Sequence, residues 1–202
     1  MATDLFDIEY PIERLPNDGS LIDHGTMYSP AQSQILFNRL LQEIPWRRDS
    51  LFIYGKQITT KRKVAWYGDK GFNYNYSQTT REALPWTKLL LKLKSEVSKY
   101  CHRDFNSVLL NLYHDGSEGM GWHSDDEKEL GDAPVIGSLS FGAMRRFDMR
   151  HKVSGKTISQ ALVPGGLIVM SGQSQACWKH QVPKQLRIKE PRINLTFRHF
   201  FD

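Results

Sequence analysis

Cysteine is scarce in this sequence: Cys101 and Cys177 are the only two in 202 residues, too few for a disulfide framework. No stretch approaches the roughly 18 to 20 continuous apolar residues that a bilayer-spanning helix needs. The opening MATDLFDIEYPIERLPNDG is acidic and has no apolar h-region, so no secretory signal is expected. Internal repeats and low-complexity tracts are missing too, which argues against a repeat architecture. These absences point to an intracellular protein, cytoplasmic or (in a eukaryotic cell) nuclear, with no membrane partner; a monomer is expected. With 40% apolar and 24% charged residues, the chain can bury the core of one sizeable domain.

Basic residues outnumber acidic ones, giving a net charge of +5 and a pI near 9.2. They cluster at Arg47 and Arg48, at Lys56 with Lys61, Arg62 and Lys63, and at Arg145, Arg146, Arg150 and Lys152. A further group is Lys179, Lys184, Arg187 and Lys189. Such clusters attract polyanions by displacing counterions from phosphates, and they serve equally well as a solvated surface.

Residues 1–28, rich in Asp, Pro and Gly, read as an irregular N-terminal arm, and residues 29–202 as a single domain. Ser29 offers an N-cap with Pro30 at the first helical position. The apolar pairs Ile35/Leu36 and Leu40/Leu41, then Ile44, follow at helical spacing. A second helix is expected from Pro85 to about Tyr100, with Leu89, Leu90, Leu93 and Val97 on one stripe. The remainder reads as short strands punctuated by Gly and Asp: Leu51–Tyr54, Lys63–Tyr67, Phe105–Tyr113, Pro134–Phe141, Arg146–Val153, Thr157–Leu162, Leu167–Ser171 and Arg192–Phe201. The expected class is α+β, a jelly-roll or double-stranded β-helix core with the N-terminal helices on one face.

His123 and Asp125 stand two residues apart, and side chains at that spacing share a face of an extended chain. His180 follows 55 positions after Asp125 and can complete a set of two imidazoles and one carboxylate. That facial arrangement leaves coordination positions open and suits Fe(II) oxygenases. Alone, the pattern is weak, and Cys177 with His180 has a spacing compatible with zinc, although a structural zinc site needs two more ligands.

The last strand sharpens the choice. Ile193, Leu195 and Phe197 alternate with Arg192, Asn194, Thr196 and Arg198. The polar face could be solvated, or it could line a barrel lumen. In a lumen the arginines need anions, because an unpaired buried charge is very costly. A dicarboxylic cosubstrate, 2-oxoglutarate, offers one to Arg192. Asn111 and Tyr113, on one face of an earlier strand, could donate hydrogen bonds to the same ligand.

Several of these segments together resemble the AlkB family of nucleic-acid demethylases. They are Asn111-Leu112-Tyr113-His114-Asp115-Gly116, Trp122-His123-Ser124-Asp125-Asp126-Glu127 and Ser138-Leu139-Ser140-Phe141-Gly142-Ala143. Arg146-Phe147-Asp148-Met149-Arg150-His151-Lys152 and Pro191-Arg192-Ile193-Asn194-Leu195-Thr196-Phe197-Arg198 complete the set. The resemblance covers roughly residues 45–202 and implies iron ligation by His123, Asp125 and His180. It implies 2-oxoglutarate binding by Asn111, Tyr113, Arg192 and Asn194, with Arg198 beside iron and substrate and O2 as second cosubstrate. A nucleotide-recognition lid would occupy about 50–80: Tyr67 with Tyr74 and Tyr76, and a duplex-probing finger at Ile53, Tyr54 and Gly55. Asp126 or Glu127 would meet the exocyclic amine of the base.

The implied activity is oxidative removal of N-methyl groups, as from 1-methyladenine or 3-methylcytosine, in DNA, with RNA a second candidate. The competing expectations are a dioxygenase of the same fold acting on protein or lipid, and a non-catalytic nucleic-acid-binding module.

Overall fold

The structure, a computed structural model, describes residues 9–53, 56–69, 73–76 and 79–201. The first strands are β1 (Ile12–Glu13) and β2 (Ser20–Thr26), followed by helix α1 (Pro30–Glu43). Next come β3 (Arg47–Ile53), β4 (Lys56–Gly68), β5 (Asn73–Tyr76), β6 (Thr79–Glu82), β7 (Leu84–Pro85) and helix α2 (Lys88–Cys101). The second half holds β8 (Ser107–Tyr113), β9 (Met120–His123), β10 (Ile136–Gly142), β11 (Arg145–His151), β12 (Thr157–Leu162) and β13 (Gly166–Ser171). The short helix α3 (Ser174–Cys177) leads into β14 (Trp178–Val182), and β15 (Arg192–Arg198) closes the fold.

The helices begin where local chemistry starts them. Ser29 and Gln32 form a reciprocal capping box, Gln32 N–H to Ser29 Oγ at 3.3 Å and Ser29 N–H to Gln32 Oε1 at 3.0 Å. In α2 the expected start at Pro85 moves to Lys88. Leu84 and Pro85 are taken by pairing with β4, and Thr87 caps the helix by accepting from Leu90 N–H at 3.2 Å. The α2 stripe Leu89, Leu90, Leu93 and Val97 is buried as expected. In α1 the buried apolar residues are Leu36, Phe37 and Leu40, with Ile44 beyond, while Ile35 and Leu41 face solvent.

Among the described residues the strands form two large sheets and a hairpin. The major sheet runs β1-β2-β13-β10-β15-β8-β4-β3, with β7 beside β4; the minor sheet runs β12-β11-β14-β9; β5 pairs with β6. Outside the major sheet, α1 and α2 bury a core with Val108, Leu110, Leu139, Phe141, Ile193, Leu195 and Phe197. A second core, with Ile136, Phe147, Met149, Ile168, Met170 and Trp178, involves both sheets. This is the expected α+β jelly-roll arrangement, with helices covering one face.

The expected irregular arm needs correction, because β1 and β2 lie within residues 9–28 and β2 pairs with β13 in the major sheet. Its inward positions are Leu21, Asp23 and Gly25, so only one of three is apolar and the alternation carries little hydrophobic signal. Buried Asp23 is satisfied there by Arg14 and by Gln160 from β12, both at 2.7 Å. The final strand also ends earlier than expected, at Arg198 rather than Phe201.

Close packing of α2 on the major sheet depends on Gly137 in β10. A Cβ there would stand 2.8 Å from Val97 Cγ1 and 3.2 Å from Cys101 Sγ. Gly137→Val is expected to destabilise the protein by about 1–3 kcal/mol through overpacking, read as a lowered urea midpoint at unchanged m-value.

Candidate active site

The two faces of β15 divide core from cavity. Ile193, Leu195 and Phe197 pack toward the helices, while Asn194, Thr196 and Arg198 line a cavity of about 220 Å³. β8 repeats the division, with Leu110 and Leu112 in the helix-side core and Leu109, Asn111 and Tyr113 on the cavity wall. In register, Asn111 faces Asn194 and Tyr113 faces Arg192. The polar face of the last strand therefore lines a lumen.

β9 and β14 bring the metal-ligand candidates onto that wall. His123 and His180 are direct cross-strand partners despite their separation in sequence, and their rings lie 4.2 Å apart between centroids. His123, Asp125 and His180 each offer a ligand atom within 4.8 Å of the others. His123 Nδ1 lies 2.8 Å from the Gly121 carbonyl; with the proton there, Nε2 is left as the lone-pair nitrogen. His180 Nδ1 is buried with no hydrogen-bond partner among the described residues.

Burial would raise the Asp125 pKa, but Arg198 and the two imidazoles outweigh it and bring it to about 2. Burial, reinforced by His123, lowers His180 to about 3, so its imidazole is neutral at pH 7. A carboxylate and two imidazoles are the donor chemistry that Fe(II) accepts. Three candidate ligands on one cavity wall also fit a facial metal site better than the four-ligand zinc alternative; among the described residues no group adds Cys177 to this cluster.

The two arginines expected to need anions have different fates. Arg198 binds Asp125 Oδ2 through Nε at 3.1 Å and a terminal nitrogen at 2.6 Å. Arg192 is fully buried, donates to Ser140 Oγ at 3.0 Å, and keeps Nε and Nη1 without partners among the described residues. It sits behind Tyr113 rather than on the cavity wall, 5.5 Å from that ring, and Arg145 approaches the same ring at 5.7 Å. Among the described residues neither Arg192 nor Arg145 has a carboxylate partner within ion-pair distance. Burial lowers Arg192 to about 10, still cationic at neutral pH. A buried cation with two donors unused among the described residues fits an anionic ligand such as a dicarboxylate.

The expected nucleotide-binding residues are only partly gathered. Glu127 is on the cavity wall, whereas Asp126 is exposed and does not line it. Tyr67 must be corrected: it is buried in the helix-side core, because strand alternation in β4 gives the cavity Arg62, Val64 and Trp66. Tyr54 and Gly55 lie outside the described residues. For Ile53, at the end of β3, and for Tyr74 and Tyr76 in β5, the description is confined to the backbone.

Arg62, Trp66 and Ser138 were not expected as site residues, yet all line the cavity. Trp66 Nε1–H donates to Ser107 Oγ at 2.6 Å, and Ser138 accepts from Asn194 Nδ2 at 3.0 Å. The alternation of Arg62, Val64 and Trp66 was available as a signal, but the basic run around it reads as solvated surface.

Comparison with known proteins adds an independent line. Residues 20–198 match the 2OG-Fe(II) oxygenase superfamily. The chain is 39% identical over 177 residues to alpha-ketoglutarate-dependent dioxygenase alkB homolog 3 of Bos taurus, covering 83% of this chain and 61% of that protein. It is 35% identical to DNA oxidative demethylase ALKBH2 of Mus musculus, over 95% of this chain and 85% of that protein. The solved structure of OsALKBH1 superposes with a TM-score of 0.60 at 15% identity, over 92% of this chain and 100% of that one. The chain belongs to the 2OG-Fe(II) oxygenase superfamily and, within it, to the AlkB family. It spans about three fifths of the length of the alkB homolog 3 relatives it matches.

Arg198→Ala would leave Asp125 buried without its guanidinium. A loss of about 3–5 kcal/mol is expected in metal-free protein, by urea denaturation, because breaking a buried pair strands its partner. Added Mn(II) should recover part of that loss by restoring a cation beside the carboxylate.

Proposed function

We propose that this protein is an Fe(II)- and 2-oxoglutarate-dependent enzyme that demethylates N-methylated bases, 1-methyladenine and 3-methylcytosine, in DNA, with RNA as the second candidate. The carrying observation is a two-histidine, one-carboxylate cluster on the wall of a cavity that also has Asn111 and Tyr113, with uncompensated Arg192 behind. His123, Asp125 and His180 would hold iron, and Arg192, Asn194, Asn111 and Tyr113 would hold 2-oxoglutarate. Bound iron with 2-oxoglutarate and O2 supplies the oxidising power that hydroxylates the methyl carbon, which then leaves as formaldehyde.

The chain's own contribution is position and seclusion. Arg198 holds one oxygen of Asp125 and fixes the carboxylate's orientation. A cavity of about 220 Å³ admits an extruded base and not a duplex, so the base must flip out of its stack. His123 and Trp66 offer aromatic faces on the wall, which attract a cationic methylated base. Glu127 can accept a hydrogen bond from its exocyclic amine. The net charge of +5 favours a phosphate backbone. DNA oxidative demethylase ALKBH2, similar along most of both chains, is by name a DNA-acting enzyme, which supports this reading over a protein or lipid substrate. The reading carries with it a monomer working inside the cell, where reduced iron and 2-oxoglutarate are at hand.

The test is incubation of iron-loaded protein with 2-oxoglutarate, air and an oligonucleotide carrying 1-methyladenine or 3-methylcytosine. Loss of one methyl mass with formaldehyde is expected, and Asp125→Ala should abolish it. Succinate without methyl loss would move the substrate to another class; wild-type turnover by Asp125→Ala would refute the site. Arg192→Ala should raise the KM for 2-oxoglutarate by roughly 10- to 150-fold, the equivalent of one charge-assisted hydrogen bond of about 1.5–3 kcal/mol. An unchanged KM would remove Arg192 from that role.

A further inference from the structure

Asp125 is held at two ends, and one of them lies outside the ligand set. Arg198 holds its carboxylate; its backbone N–H donates to the side-chain oxygen of Gln175 at 2.9 Å. Gln175 is 2% exposed and sits in the short helix α3, five positions before His180. The orientation of its amide is fixed by its neighbours: the Asp125 N–H can meet only an acceptor. The other end of the amide then donates to Ser174 Oγ at 3.1 Å and Met170 Sδ at 3.4 Å.

The Gln175 main chain is tied down in turn. Lys152 Nζ donates to its carbonyl at 2.8 Å, and Lys152 N–H donates to the Cys177 carbonyl at 2.8 Å. One residue before Asp125, Ser124 Oγ donates to the Trp178 carbonyl at 2.9 Å. Two hydrogen bonds therefore fasten the Ser124–Asp125 segment to the stretch that becomes β14 and carries His180.

We propose that Gln175 is a positioning residue for the metal centre: by accepting the Asp125 amide it sets the spacing between that carboxylate and the His180 imidazole before metal binds. The proposal rests on His123, Asp125 and His180 being the ligands. A glutamine suits the task because it accepts and donates while staying neutral; a glutamate would bury a second negative charge close to Asp125. An apolar side chain of similar length would leave the buried Asp125 N–H unsatisfied and let the segment shift.

Co(II) added to metal-free protein tests this without turnover, through its visible absorption bands and its affinity. Gln175→Met and Gln175→Asn are expected to bind Co(II) about 10- to 100-fold more weakly than wild type, with displaced bands. A merely structural role would lower the unfolding midpoint and leave the bands and affinity of the folded protein unchanged. That result in either variant overturns the proposal. Failure of wild-type protein to bind Co(II) overturns the ligand assignment itself, and the proposal with it. Should neither variant fold, amide exchange in metal-free wild type decides: the Asp125 N–H should be strongly protected, and exchange at an unprotected rate overturns the proposal.

Discussion

The alternation along β15 is the constraint on which the remaining structure depends. In seven residues the strand gives its apolar side to two helices and its polar side to a cavity, and it lies in the interior of the major sheet between β10 and β8. A slip of one residue would put Arg192 and Arg198 into the helix-side core and turn Ile193 and Leu195 away from it. Helix packing and chemistry are therefore set by the same register. The sheet cannot bury its core without also aiming Asn194, Thr196 and Arg198 at the cavity.

Charge within the lumen is distributed unevenly, and this gives the site a direction. At the metal end, Asp125 has Arg198 and is drawn further toward ionisation by the two imidazoles. At the other end, behind Tyr113, Arg192 has no carboxylate within ion-pair distance among the described residues, while Arg145 on the same ring feels Asp115 and Glu118. The first end, where Arg198 already offsets Asp125, gains positive charge when a divalent cation joins, and the other end also asks for an anion. A ligand that chelates metal through one carboxylate and presents a second some distance away satisfies both.

Much of the cavity was legible in sequence because its walls alternate. Arg192, Asn194 and Arg198, and Asn111 with Tyr113, could be assigned to one face from period two alone. The two strands that carry the histidines were not legible. In β14 the inward positions are Trp178, His180 and Val182, and in β9 Met120 and His123 are followed by Asp125 beyond the strand. A ligand occupying an inward position replaces the apolar residue that would have announced the strand. The β14–β9 pairing also shifts register between His180 and Val182, which blurs the period further. Tyr67 failed for the opposite reason: it looks like a recognition aromatic, and only the register of β4 against β8 shows that it faces the helices. Gln175 had no sequence signal, since a buried glutamine in a four-residue helix belongs to no periodic pattern.

The cross-strand pairing of His123 with His180 bears on how the protein folds. Their meeting closes a loop of roughly 55 residues, which contains β10, β11, β12 and β13, and closing such a loop has an entropic cost that the pairings within it, β11 with β12 and β10 with β13, help to offset. A short peptide around His123 and Asp125 holds only two of the ligands. The third arrives when β14 has docked between β11 and β9. The three-residue cluster is thus complete only in chains whose minor sheet has reached its native order.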